Sequence, residues 1–240
     1  MTKTFREIEA VSFDFYNTLA EHRTGIGRGR SLLDYLERAG LPCDPWQHQV
    51  LYDVFEPHAR EYSTSWGRDE KWTYRIKFAG RLFKRLNIVI DEPDIAAHAD
   101  PIWELLGPAS LRVFPEVPLV LRSLRNAGFR TIVISNWQCG LEHFCVELGI
   151  GPWLDHVLSS AEVGSAKPDA GIFEEACRRL SLPAQRILHI GDTFVDDFEG
   201  AQACGLEALL IHRRMDRSGG SAGICGLGEV LDLLDAPALG

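Results

Sequence analysis

Val11-Ser12-Phe13-Asp14-Phe15-Tyr16-Asn17-Thr18-Leu19 decides how this chain folds. The apolar run up to Phe13 reads as a buried strand, with Asp14 at its C-terminal tip and a tight turn directly after it. A carboxylate there has no packing value. Ionised and partly desolvated, it costs free energy unless a cation or hydrogen-bond donors meet it. An isolated Asp in such a place is ordinarily a turn residue or a helix N-cap. Three later stretches give this one another meaning. Asn17 falls where the turn needs a positive φ, which Asn tolerates better than most residues.

Those stretches lie in the second half of the chain, where apolar strands alternate with helices. Val117, Val120, Leu121 and Leu124 have helical spacing up to Gly128, and Thr131-Ile132-Val133-Ile134-Ser135 follows as a strand. Leu141, Phe144, Cys145 and Leu148 give a helix closed by Gly149, then the strand His156-Val157-Leu158-Ser159. Ile172, Phe173, Ala176 and Leu180 precede the strand Ile187-Leu188-His189-Ile190. A short helix is expected over Asp197–Cys204 with Gly205 as its stop, then the strand Ala208–Ile211 and an amphipathic helix around Val230, Leu231 and Leu234. This pattern predicts an α/β fold with a Rossmann-like parallel sheet covered on both faces. Its ligands bind beyond the C-terminal ends of the strands. Between the first strand and this half, a helix is expected from Ser31 to the stop at Gly40, and Pro45 to Gly107 reads as mostly helical.

The polar residues converge on one edge of that sheet. The strands end in Asp14, in Ser135-Asn136, and in Gly191-Asp192 followed by Asp196-Asp197, while Lys167-Pro168 lies in a loop after the third strand. Each has a duller alternative as a turn, cap or solvated residue. Asp14, Asp192 and Asp197 together would repel one another and raise each other's pKa values. A hard divalent cation with oxygen ligands, Mg²⁺ above all, removes that conflict. Such an edge suits a phosphoryl group: metal and Lys167 hold its oxygens, Ser135 donates a hydrogen bond, and Asp14 attacks. His189, on a buried strand, reads as a satisfied core histidine, and Asp196 as a helix-start residue.

Composition bounds the rest. The 240 residues are 45% hydrophobic and 25% charged, as in an ordinary globular protein, with a formal charge of −9. That charge argues against a nucleic-acid or anionic-membrane surface. No apolar run is long enough to span a bilayer, and Met1–Glu7 lacks the apolar stretch of a signal peptide. The six cysteines form no CxxC pair and fit reduced thiols, so a cytoplasmic protein acting on a small molecule is expected, as monomer or homodimer.

The four stretches together resemble the motifs of the haloacid dehalogenase (HAD) superfamily, in the branch with a helical cap inserted after the first motif. Asp14-Phe15-Tyr16-Asn17-Thr18-Leu19 looks like the first motif, Ile134-Ser135-Asn136 the second, Lys167-Pro168 the third, and Gly191-Asp192-Thr193-Phe194-Val195-Asp196-Asp197 the fourth. The resemblance implies a discontinuous core of residues 1–20 and 112–240, with a cap of 21–111 that closes over the site and selects the substrate. It implies Asp14 as nucleophile assisted by Lys167, and Thr18, Ser135, Asn136 and Lys167 as substrate- and phosphate-binding groups. Asp14, the backbone carbonyl of Tyr16, Asp192 and Asp197 would surround Mg²⁺. In the cap, Arg68, Lys71 and Arg75, interleaved with Trp66 and Trp72, are the best candidates to meet an anionic substrate, with a solvated helix face as the favoured reading of the same residues.

One position departs from the pattern. The family's phosphatases usually carry a second Asp two residues after the nucleophile, to protonate the leaving alcohol and activate water; here Tyr16 stands there. Losing such a group costs on the order of 10²–10⁴-fold in rate. Tyr16 is similar to the first motif of the family's 2-haloacid dehalogenases, which displace halide without a metal. The acid pair of the fourth motif points the other way, because C–X displacement by a carboxylate needs no cation. Mg²⁺-dependent phosphoryl transfer is therefore the expected activity. Dehalogenation, or binding of a ligand or partner without catalysis, are the alternatives. Glu21, His22, Asp69 and Glu70 are positioned in sequence to replace the missing acid.

Overall fold

The computed structural model describes residue 5 and residues 7–23, 28–41, 75–105 except 78, 81 and 85, 110–137, 140–213 and 223–236. In chain order the strands are β1 (Ala10–Phe13), β2 (Ala20–His22), β3 (Leu111–Val113), β4 (Arg130–Ser135), β5 (His156–Ser159), β6 (Ile187–Gly191) and β7 (Glu207–Leu210). The labelled helices are α1 (Arg28–Arg38), α2 (Glu92–Glu104), α3 (Val117–Asn126), α4 (Leu141–Glu147), α5 (Ser160–Val163), α6 (Ala170–Leu180), α7 (Gly200–Ala203) and α8 (Gly228–Leu233).

Five strands pair in parallel in the order β5-β4-β1-β6-β7. The chain builds outward from β1 to one side with β4 and β5, then returns to the other side with β6 and β7. The strand order therefore reverses at β1, and the crevice at such a switch point is where sheets of this kind bind ligands. Asp14 follows β1 directly.

The strands are apolar on both faces because both are covered. On one face Val11, Phe13, Val133, Leu188 and Ile190 pack with Val117, Val120, Leu121 and Leu124 of α3 and with Val230 and Leu231 of α8. On the other, Ala10, Ile132, Ile134 and Ile187 pack with Ile172, Phe173, Ala176 and Leu180 of α6. Gly128, Gly149 and Gly205 take the left-handed conformation expected of helix stops.

A third cluster joins Leu32 and Leu36 of α1 to Ala79, Leu82, Phe83 and Leu86 and to Ala99 and Ile102 of α2. This is the helical insert; residues 42–74, which include Arg68, Lys71, Asp69 and Glu70, lie outside the described residues. No described helix is long and apolar enough to cross a membrane.

Four details depart from the sequence reading. α1 begins at Arg28 rather than Ser31. A short helix, α5, stands between β5 and the Lys167 loop. The turn carrying Asp197 starts at Phe194 and is π-helical through Glu199 before α7 begins. Finally, β2 and β3 pair antiparallel, Glu21 opposite Arg112, so the two passages between sheet and insert run side by side. Three-residue strands show no periodicity of their own.

Candidate active site

The edge beyond β1, β4 and β6 gathers the polar residues at short range. The backbone N–H of Asp14 donates to the Ile190 carbonyl at 2.9 Å, so the sheet ladder itself continues into Asp14. Its side chain is buried. Asp14 Oδ1 accepts from Ser135 Oγ at 3.0 Å and from Lys167 Nζ at 2.7 Å. Oδ2 accepts no hydrogen bond among the described residues, which leaves one oxygen of the carboxylate open. The turn that follows is closed by Asn17 N–H to Ala20 O at 2.7 Å, with Asn17 at φ 61°, the positive value expected of it.

Lys167 is only 2% exposed and reaches both Asp14 and Asp197. Burial alone would disfavour its ammonium, but the two carboxylates outweigh that and hold its pKa above the usual lysine value. Asp197 shows the mirror of this balance. Burial disfavours its charge, yet Lys167 and His189 hold its carboxyl below the usual range. Its Oδ2 accepts from the Thr193 backbone N–H at 2.9 Å. Gly191 makes room for it, since a methyl group there would overlap the Asp197 carboxylate.

Asp192 completes the group. Ligand oxygens of Asp14, Asp192 and Asp197 all lie within 4.8 Å of one another. Burial, then the charges of Asp14 and Asp197, push the Asp192 carboxyl up to about 7. Burial likewise raises the Asp14 carboxyl against the pull of Lys167. Three carboxylates thus face one ammonium in a desolvated edge, an all-oxygen set suited to a hard divalent cation.

The remaining predicted residues divide. Thr18 is fully buried, and its Oγ1 has no hydrogen-bond partner among the described residues. Asn136 is engaged with the lysine loop: its Oδ1 accepts from Lys167 N–H at 2.7 Å and its Nδ2 donates to Lys167 O at 2.9 Å. Tyr16 is half-buried and lies tilted against Trp137, centroids 6.3 Å apart, while Trp137 packs edge-on to Phe15 and Phe144. In the insert, Arg75 pairs with Asp100 at 2.7 Å and lies over the Trp103 ring. Glu21 accepts two hydrogen bonds from Arg112, and His22 is buried with Nδ1 3.5 Å from Ser31 Oγ.

Sequence reasoning missed three contacts. His189 is the satisfied core histidine expected, but its partner Asp197 was not foreseen. Asn136 clamps the Lys167 backbone across 31 residues of sequence. Arg213 binds the Thr18 carbonyl and Glu116 and lies over the Phe114 ring, fixing the first turn from the far end of the chain. For His189 a signal existed: it alternates in phase with Gly191 on β6, three positions before Asp192.

The sequence model of the haloacid dehalogenase-like hydrolases matches residues 8–205. A glyceraldehyde 3-phosphate phosphatase of Methanothermobacter thermautotrophicus is 36% identical over 216 residues, 87% of each chain. Among solved structures, a 2-haloacid dehalogenase from Pseudomonas syringae is 25% identical with a TM-score of 0.64, over 95% of this chain and 98% of that one. YfnB of Bacillus subtilis, described as a HAD-hydrolase, superposes with a TM-score of 0.67 at 18% identity, over 97% of this chain and all of that one, a likeness of fold.

Proposed function

The chain belongs to the haloacid dehalogenase-like hydrolases, and from that premise we propose that it is a Mg²⁺-dependent phosphatase of small phosphorylated metabolites. The observation that carries this is the convergence of Asp14, Asp192 and Asp197 within 4.8 Å around the single ammonium of Lys167. The 36% identical relative named as a glyceraldehyde 3-phosphate phosphatase supports the same class. Asp14, Asp192, Asp197 and the Tyr16 carbonyl are the groups assigned to hold Mg²⁺, which when bound neutralises phosphoryl oxygens and the crowded carboxylates.

Asp14 acts as nucleophile through Oδ2, because Ser135 and Lys167 hold Oδ1. An O–P bond forms to Asp14 as the ester P–O bond breaks, giving an aspartyl-phosphate and the leaving oxyanion, which takes its proton from solvent water. Water then attacks phosphorus, releasing phosphate and restoring the carboxylate. Lys167 and Ser135 stabilise charge on the transferring group, and Thr18 Oγ1, buried with its bonding capacity unused among the described residues, is a further donor. Asn136 serves this site by clamping the Lys167 loop. Residues 21–111 are assigned as the cap, and Arg68, Lys71 and Arg75 remain its proposed anion contacts. The described cysteines are free thiols, as a reducing cytoplasm would keep them.

Tyr16 cannot give the leaving oxygen a proton as a carboxylic acid would. Turnover should therefore rise steeply as the leaving group becomes more acidic, with p-nitrophenyl phosphate and acyl phosphates ahead of alkyl phosphates. The test is phosphate release from triose, sugar and aryl phosphates, with and without Mg²⁺. Metal-dependent release supports the reading; no release from any of them overturns it. Tyr16 and the 25% identical dehalogenase support a second reading, and halide release from 2-haloacids without metal would establish it.

A further inference from the structure

We propose that His189, seated by Ser12, is a positioning residue that holds the Asp197 carboxylate against Lys167 and thereby sets the place of the lysine at Asp14. The parallel register of β1 and β6 puts Ser12 directly opposite His189 on the sheet face covered by α6. Ser12 Oγ lies 2.7 Å from His189 Nδ1, and His189 Nε2 lies 3.1 Å from Asp197 Oδ1. The Phe173 ring closes the imidazole edge-on at 5.5 Å. Ser12 and His189 are 0% exposed and Asp197 is 2% exposed.

The chemistry of these groups fixes the direction of the bond to Asp197 and, in the neutral ring, of the bond to Ser12. A carboxylate only accepts, so Nε2 carries the proton and donates it to Asp197. In the neutral ring Nδ1 then has only its lone pair, and the Ser12 hydroxyl donates to it. Asp197 Oδ1 thus takes His189 and Lys167, and Oδ2 takes the Thr193 N–H. Without the imidazole donor, Asp197 could rotate about its own side chain and carry Lys167 away from Asp14. Supporting groups of this kind, behind the residues that meet metal or substrate, are typically worth 10–100-fold in activity or metal affinity.

The activity arm rests on the phosphatase reading; the spectroscopic arm does not. Nitrogen NMR of ¹⁵N-His-labelled, metal-free protein reports the His189 tautomer directly. A proton at Nε2 is expected, whereas a ring protonated at Nδ1 alone overturns the proposal. His189→Leu should then lower kcat about 10–100-fold with KM little changed, while His189→Gln, which keeps a side-chain N–H donor, restores most of it. Undiminished kcat in His189→Leu overturns the proposal, and so does an equal loss in both folded variants, which would indicate packing alone. If His189→Leu does not fold, Ser12→Ala decides: it removes the hydroxyl that selects the tautomer. A mixed tautomer with reduced kcat supports the proposal, and an unchanged ring with unchanged kcat overturns it. Wild-type protein with no phosphate release defeats the phosphatase reading and leaves the tautomer test standing.

Discussion

Asp192 is the residue through which acidity reaches this site. Burial and the neighbouring carboxylates raise its pKa to about 7, far above an ordinary aspartate. At this residue the metal-free native state therefore holds a proton that the unfolded chain has released, and the contribution of Asp192 to stability falls as pH rises between about 4 and 7. A cation reverses the balance by favouring the charged form. Mg²⁺ affinity should be fully developed above pH 7 and weaken by up to about tenfold per unit below it, because binding must expel the proton. Calorimetric titration with Mg²⁺ at pH 6 and pH 8 measures this, and equal affinities would contradict it. Asp14, Ser135, Asp192 and Asp197 were legible in the sequence because they end an apolar strand or lie in the turn directly after one, and Lys167 because Lys167-Pro168 resembles the third motif of the family. The tasks of Asn136 and His189 were not, because a partner elsewhere in the chain defines each: the Lys167 backbone for one, Asp197 and Ser12 for the other.

At the scale of elements, the site depends on how closely the turn after β6 approaches the lysine loop. The five-residue spacing of Asp192 and Asp197 is accommodated by a π-helical turn, in which both Asp197 and Phe198 donate to the Thr193 carbonyl. α7 then starts at Gly200, where an added Cβ would stand 2.9 Å from both Cα and Cβ of Pro168 and 3.3 Å from the Phe173 ring. Helix propensity alone would have Gly200→Ala stabilise the protein by up to about 1 kcal/mol. The overlap with backbone opposes this, and overpacking of such a contact costs about 1–3 kcal/mol. Gly200→Ala is therefore expected to lower stability in denaturant unfolding and to reduce turnover by displacing Lys167; a stabilised, fully active variant would contradict the account. The β1, β4, β5 and β6 strands and the glycine stops could be read from local pattern. The pairing of β2 with β3 could not, because its only signal is the adjacency of two three-residue segments on either side of the insert.

At the scale of the whole molecule, the sheet brings the two halves of the chain together at β1 and gathers Asp14, Ser135, Asp192 and Asp197 beyond its edge. The insert has its own buried cluster around Phe83, Leu36 and Ile102. The order of the four polar stretches made the core readable, since each follows an apolar strand whose place in a parallel sheet is constrained. Substrate choice was not readable in the same way: helical periodicity in the insert reports which residues pack, and packing does not specify what a cap encloses. The central claim is that Asp14 takes up the phosphoryl group. Rapid acid quench during turnover of an activated phosphomonoester with Mg²⁺, followed by peptide mass mapping, tests it most directly. A hydroxylamine-sensitive phosphoryl adduct on the peptide carrying Asp14, absent from Asp14→Asn, is the predicted result. Sustained turnover by Asp14→Asn with no adduct in either protein would contradict it.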